Sequence, residues 1–368
     1  MLKEKRGNAS FAILIFILLA IIGVSVFLYI YFTFDEEIQV PGPENIITVE
    51  DEVQTGQTVI KPNENVQNPL SGLQQQPISN QSIQNAYYYQ QIDSNAKKIY
   101  DGLLNHKEEL KTGTYTIDFG NQFDSILKEE NGTEKMNRIY QIALDALTLD
   151  HPELFYIDVS KMIMTIHTRK VVLKTSYKVE IGNDSNANYL IDGFVNKEQV
   201  NQALQQIEQV KQTILDRRSA NQYEQIKLAH DWIVDNVSYD ESIRRTHTRN
   251  IYGTFVEKQV VCEGYAKAFQ LLMNEMGIPC VIVVGTATNS EGKTESHAWN
   301  YVQLDETWYA IDTTWDDPII RGGKVTNKLK YTYFLKGSAS FNQNHVATGK
   351  ASEQGMVFSY PELNRQDY

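Results

Sequence analysis

The sequence predicts an α+β fold, and three observations carry that expectation. Apolar residues recur at helical spacing in four stretches between residues 87 and 237. Two runs mixing Val, Ile, Thr and Tyr lie at residues 161–172 and 173–180, and a strand, turn, strand pattern comes later at residues 297–313. Helices and antiparallel strands segregated along the chain in this way point to α+β, not to alternating βα units.

Composition narrows the function classes. The 368 residues are 42% apolar and 22% charged, with 34 basic against 46 acidic side chains and a net charge of −12. That excludes disorder throughout the chain. No cluster of Lys and Arg suited to phosphates is present, so no nucleic-acid partner is expected. Two cysteines, Cys262 and Cys280, can supply neither a disulfide scaffold nor a four-thiolate zinc site.

Taken from the start, residues 1–10 read as a cytoplasmic N-terminus and residues 11–33 as a transmembrane helix. Residues 11–32 carry no charge, and as a helix at about 1.5 Å per residue they reach roughly 33 Å, enough to span a bilayer. Lys3, Lys5 and Arg6 precede the run and Asp35, Glu36 and Glu37 come after it, so the positive-inside rule sets a single pass with the C-terminal part extracellular. A cleaved signal peptide is the rival reading, but the run is long for one, and Tyr29, Ile30, Tyr31 and Phe32 offer no small-residue cleavage site. Residues 34–85 hold five of the nine prolines and many Gln, Asn and Ser, the composition of a disordered linker.

The body is expected as an N-terminal helical and strand region, residues 86–195, and a catalytic domain, residues 196–368. In residues 87–110, Ile92, Ala96, Ile99, Leu103 and Leu110 share a helical face, and in residues 134–149 Met136, Ile139, Ile142, Ala143 and Ala146 do so. Helical periodicity returns at residues 195–215 and 222–237, with the break at Ser219, Ala220 and Asn221 able to supply an N-cap.

Chemistry concentrates between residues 259 and 318. Val260 and Val261 lead into Cys262, after which Tyr265, Phe269, Leu272 and Met276 fall on one helical face ended by Gly277 and Pro279. Cys262 therefore begins a helix, where the positive end of the dipole favours thiolate over thiol. The competing reading is a small buried apolar residue, the commoner fate of a lone cysteine. Downstream, residues 297–304 read as a strand, Asp305 and Glu306 as a tight turn, and residues 307–313 as the returning strand. A two-residue loop makes cross-strand partners sum to 611, so Trp299 faces Asp312, and His297 lies on the same face as Asp312 at a diagonal of roughly 7 Å. A carboxylate there can hold one imidazole nitrogen while the other takes a thiol proton. His297 could equally be a half-buried strand histidine and Asp312 a turn cap. The three together, in the order nucleophile, base, orienting carboxylate, form a constellation that generic packing does not require.

These residues resemble the core of the transglutaminase-like superfamily. The resemblance rests on Val261, Cys262, Glu263, Gly264, Tyr265 and Ala266, on Ser296, His297, Ala298, Trp299 and Asn300, and on Trp308 and Tyr309 through Asp312 to Pro318. His230, Asp231, Trp232 and Ile233, then Val237, Ser238, Tyr239 and Asp240, support it upstream, as do Tyr333, Phe334, Leu335, Lys336 and His345 downstream. The resemblance implies a papain-like arrangement, a nucleophile helix packed on an antiparallel sheet, in a membrane-anchored microbial member. It implies Cys262 as nucleophile, His297 as general base and then acid, and Asp312 as orienting carboxylate. Asp305 and Glu306 depart from the Asp-Gly turn of many members. The second oxyanion donor is open between the Cys262 backbone N–H and the Gln259 side chain.

The expected activity is thiol acyl transfer at amide bonds of a protein or peptide at the cell surface or wall, with hydrolysis slightly favoured over transamidation. An inactive module used for binding or scaffolding is the alternative. No cofactor and no metal are expected. Cys280 and His230 read as core residues, and Asp316 and Asp317 as part of a turn.

Overall fold

A computed structural model describes residues 49–51, 55–60, 86–171, 174–183, 187–317 and 327–368. The expected transmembrane helix at residues 11–33 and most of the expected linker lie outside the described residues. Among the described residues, no helix is long and apolar enough to cross a membrane. The architecture is α+β, with two antiparallel sheets and one short parallel pair of strands.

One correction concerns the linker. Two strands, β1 (Val49–Asp51) and β2 (Thr55–Ile60), fall inside residues 34–85. They extend a five-stranded antiparallel sheet of order β1-β2-β4-β5-β3, completed by β3 (Ile117–Gly120), β4 (Ile163–Val171) and β5 (Lys174–Gly182). Thr55, Thr58, Val59 and Ile60 are strand formers, and β4, distant along the chain, offers its edge to all of β2, from Thr55 opposite Arg169 to Ile60 opposite Met164.

The helices form where the apolar periodicity lies, and short polar side chains start them. Asp93 accepts from the N–H groups of Asn95 and Ala96 at the head of α1 (Ser94–Asn105). After α2 (Gly132–Asp150), Asn196 caps α3 (Lys197–Leu215) and Asn221 caps α4 (Gln222–Asn236), each accepting from a backbone N–H three residues on. Buried apolar residues form a continuous cluster from Tyr87 to Phe358, so residues 86–195 pack on the same core as the residues after them.

The elements after α4 set the positions in the site. Two short parallel strands, β6 (Ser238–Tyr239) and β7 (Gln259–Val260), bring the chain to α5 (Cys262–Glu275). Helix α5 packs on a second antiparallel sheet of order β10-β9-β8-β11, formed by β8 (Cys280–Thr288), β9 (Thr294–Leu304), β10 (Thr307–Ile311) and β11 (His345–Ala347). The β9–β10 turn is a two-residue loop with positive φ at Asp305 (50°) and Glu306 (61°), and Thr307 pairs with Leu304. That is the register reached by arithmetic from the sequence. The positive φ values match the twist of the flanking strands without a glycine. Gly285 on β8 lies opposite His297, and a Cβ there would come within 2.1 Å of the Val346 carbonyl oxygen on β11.

Candidate active site

Cys262 is the first residue of α5 and is half-buried. The extended Val261 before it donates its N–H to the Thr248 carbonyl at 2.8 Å, which fixes the entry to the helix. Gly264 permits this crossing, since a Cβ there would lie 2.6 Å from Val260 Cβ and 2.9 Å from the Thr248 oxygen. The N–H groups of Cys262 and Glu263 head the helix without an intrahelical acceptor, as the first turn requires. Gln259, the other oxyanion candidate, is half-buried in β7 opposite Ser238.

His297 comes from β9 and Asp312 from the residue directly after β10. The structure brings them together: His297 Nε2 lies 2.7 Å from Asp312 Oδ2. Asp312 is fully buried, and its other oxygen, Oδ1, accepts the N–H groups of Thr314 at 3.0 Å and Trp315 at 3.2 Å. Burial opposes the charge on Asp312, yet His297 and then His345 overcome it and hold the carboxyl well below the usual range. Burial likewise opposes a charge on His297. The Asp312 carboxylate outweighs it, with Cys262 adding to the effect, and together they push His297 up to about 10. Asp312 occupies Nε2 of His297, so Nδ1 is the ring nitrogen it leaves free.

Sequence reasoning gave no role to a fourth residue here. His345, the first residue of β11, is fully buried and puts its Nε2 3.0 Å from the same Asp312 Oδ2. Only its place near the Tyr333 block drew attention to it in the sequence. The facing atoms of His297, Asp312 and His345 lie within 4.8 Å of one another and are of types a divalent ion accepts. Their hydrogen bonds to each other already account for that arrangement.

The remaining candidates fall elsewhere. Cys280 is buried in β8, its thiol pushed well above its ordinary value by burial, and both cysteines are free thiols. His230 is buried on α4 between two carboxylates, with Nδ1 3.0 Å from Asp231 and Nε2 3.1 Å from Asp316. Asp317 accepts the Tyr265 hydroxyl.

Residues 208–313 match the family model of the transglutaminase-like superfamily. Over 140 residues, 34% of this chain and 21% of the relative, the sequence is 26% identical to kyphoscoliosis peptidase of Mus musculus. The Homo sapiens protein of that name is 25% identical over 142 residues, again 34% and 21% of the two chains. The chain therefore spans about a fifth of the length of these curated relatives. Among solved structures, a TGase is similar at a TM-score of 0.29 and 19% identity, covering 45% of this chain and 47% of that one. The periplasmic domain of TgpA from Pseudomonas aeruginosa, bound to ethylmercury, is similar at a TM-score of 0.23 and 14% identity, covering 42% and 72%. Cys262, His297 and Asp312 all lie inside residues 208–313, the stretch that matches the transglutaminase-like superfamily model.

Proposed function

We propose that this chain is a cysteine enzyme of papain-like arrangement that performs acyl transfer at amide bonds, with peptide hydrolysis as its reaction. The observation that carries the reading is the contact of His297 Nε2 with the buried Asp312 Oδ2 at 2.7 Å, with Cys262 at the start of α5 among the groups that raise His297. His297 accepts the Cys262 proton at Nδ1 while Asp312 holds Nε2–H and so fixes the tautomer. The sulfur attacks the amide carbon, and the oxygen that gathers negative charge is met by the N–H groups heading α5. His297 then gives its proton to the leaving amine nitrogen, and a thioester remains on Cys262. Water, deprotonated by the same imidazole, releases the acid.

A peptidase among the named relatives supports water as acceptor, whereas an amine as acceptor would make the same first half-reaction a transamidation. The sequence further supports a membrane anchor at residues 11–33 with the body outside, which makes protein or peptide amides at the cell surface or wall the accessible substrates. Protease added to intact cells should then digest the body, and full protection would refute that location.

The catalytic reading is tested by challenging the chain and its Cys262→Ser variant with a thiol-directed probe and peptide amides. Labelling and backbone cleavage should be lost in the variant. Identical behaviour of the two leaves a non-catalytic surface module. Addition of an amine mass to a glutaminyl side chain, without cleavage, would replace hydrolysis by transamidation.

A further inference from the structure

We propose that His345 is a positioning residue for the acyl-transfer site: it divides the Asp312 carboxylate with His297 and so limits how tightly Asp312 holds the proton on His297. The inference rests on the catalytic reading above.

The geometry is a carboxylate with every acceptor direction in use. Thr314 and Trp315 take Oδ1 through their backbone N–H groups, and both imidazoles converge on Oδ2, His297 at 2.7 Å and His345 at 3.0 Å. His345 is held for this contact. Its ring stacks on Phe341 at 4.1 Å between centroids and meets Trp315 edge-on at 4.6 Å, while β11 pairs it with Ala287 on β8. Its Nδ1 lies 2.8 Å from the Asn344 amide, whose other end reaches the Tyr333 hydroxyl at 3.0 Å.

Proton inventory decides what His345 contributes. The ionisable groups facing it are Asp312 and His297, with Cys262 beyond His297 and Asp316, Tyr265 and Tyr333 around Asp312. Burial, against the pull of Asp312 and with the nearby His297 charge adding to it, lowers the hold of His345 on a second proton and favours the neutral ring. A neutral ring has one N–H. Asn344 presents its carbonyl Oδ1 to Nδ1 and donates its NH2 to the Tyr333 hydroxyl, so both ring nitrogens face acceptors; the charged Asp312 carboxylate is the stronger of the two and draws the single His345 proton to Nε2. Two N–H donors on one oxygen spread its charge, so each is held less firmly than it would be alone. For His297 this matters, because the ring must release to the leaving amine the proton it took from the thiol, and an acid that binds its proton too strongly does so slowly.

Alkylation of Cys262 by iodoacetate reads the effect without a known substrate, since Cys280 is buried. The reagent is an anion. Its rate should fall when the imidazolium beside the sulfur loses its proton, and the midpoint of that alkaline fall reports His297. His345→Phe keeps the ring stacking and removes the donor, with His345→Leu as a second donorless variant should the first not fold. Either should raise the midpoint by about half a pH unit or more, whereas His345→Gln, which restores an N–H, should return it to within about 0.2 unit of the parent. A midpoint unchanged or lowered in a folded donorless variant overturns the proposal. Alkylation of the parent with no alkaline fall at all overturns the catalytic reading instead.

Discussion

Asp316 Oδ2 meets His230 Nε2 at 3.1 Å with neither side chain exposed, and the pair braces the turn that presents Asp312. Asp316 donates its N–H to the Asp312 carbonyl at 3.1 Å and accepts the Tyr333 N–H on Oδ1 at 2.8 Å, while the Tyr333 carbonyl accepts the Asp312 N–H at 3.2 Å. Burial opposes a charge on His230, but Asp231 and Asp316 raise its affinity for a proton. Asp316→Asn keeps the shape and removes one charge from a buried pair, a change expected to cost about 3 kcal/mol. Chemical denaturation measures it, and a loss below about 1 kcal/mol would show that the pair does not brace the turn.

Asp312→Asn should act on His297 in the opposite sense to loss of His345. The carboxylate is the largest influence raising His297, so its neutral isostere lowers the ring's hold on its proton. The alkaline midpoint of iodoacetate alkylation is therefore expected below that of the parent. A midpoint that stays in place would separate His297 from Asp312 in solution.

Gly264→Ala puts a methyl where Val260 and the Thr248 carbonyl already stand. Overpacking of this kind costs about 1–3 kcal/mol, and here the displaced segment carries Cys262. Slower labelling of Cys262 together with a lower melting temperature is the expected result. Parent-like values for both would mean that the crossing has room to spare.

Stability should also fall with rising pH across the mildly acidic range. Burial pushes Asp150 from 3.8 up to about 7, despite the N–H groups of Tyr88 and Tyr89 that it accepts. The folded state therefore keeps a proton that the unfolded chain has released. This contribution is complete below about pH 4 and is lost as pH rises through about 7. Asp150→Asn removes the titration, and the plot of unfolding free energy against pH between those limits should become less negative in slope by at most about 1.4 kcal/mol per pH unit. An unaltered slope would place the titration elsewhere.

How far the sequence carries depends on how local the determinant is. The β9–β10 register comes from a two-residue turn, because side chains alternate along each strand and one pairing fixes all the others. Cys262 at the head of a helix is legible in the apolar spacing of Tyr265, Phe269 and Leu272. His345 is different in kind. It stands in a three-residue strand, 33 residues past Asp312 and outside the matched stretch, and reaches the carboxylate because β11 joins the sheet beside β8. No periodicity announces a pairing between strands so distant along the chain. The strands at residues 49–51 and 55–60 were hidden for a related reason, since they need the edge of β4 to form.

Gly285 gives the sheet an adjustable hinge pin. It sits between His297 on one neighbouring strand and Val346, the residue after His345, on the other. One added methyl at this spot would wedge β11 outward and carry its imidazole with it, while the partnership of His297 with Asp312 is built on strands to the opposite side. Acidity in this centre could therefore drift during evolution by a single atom's thickness, without any change to the three residues that would do the chemistry.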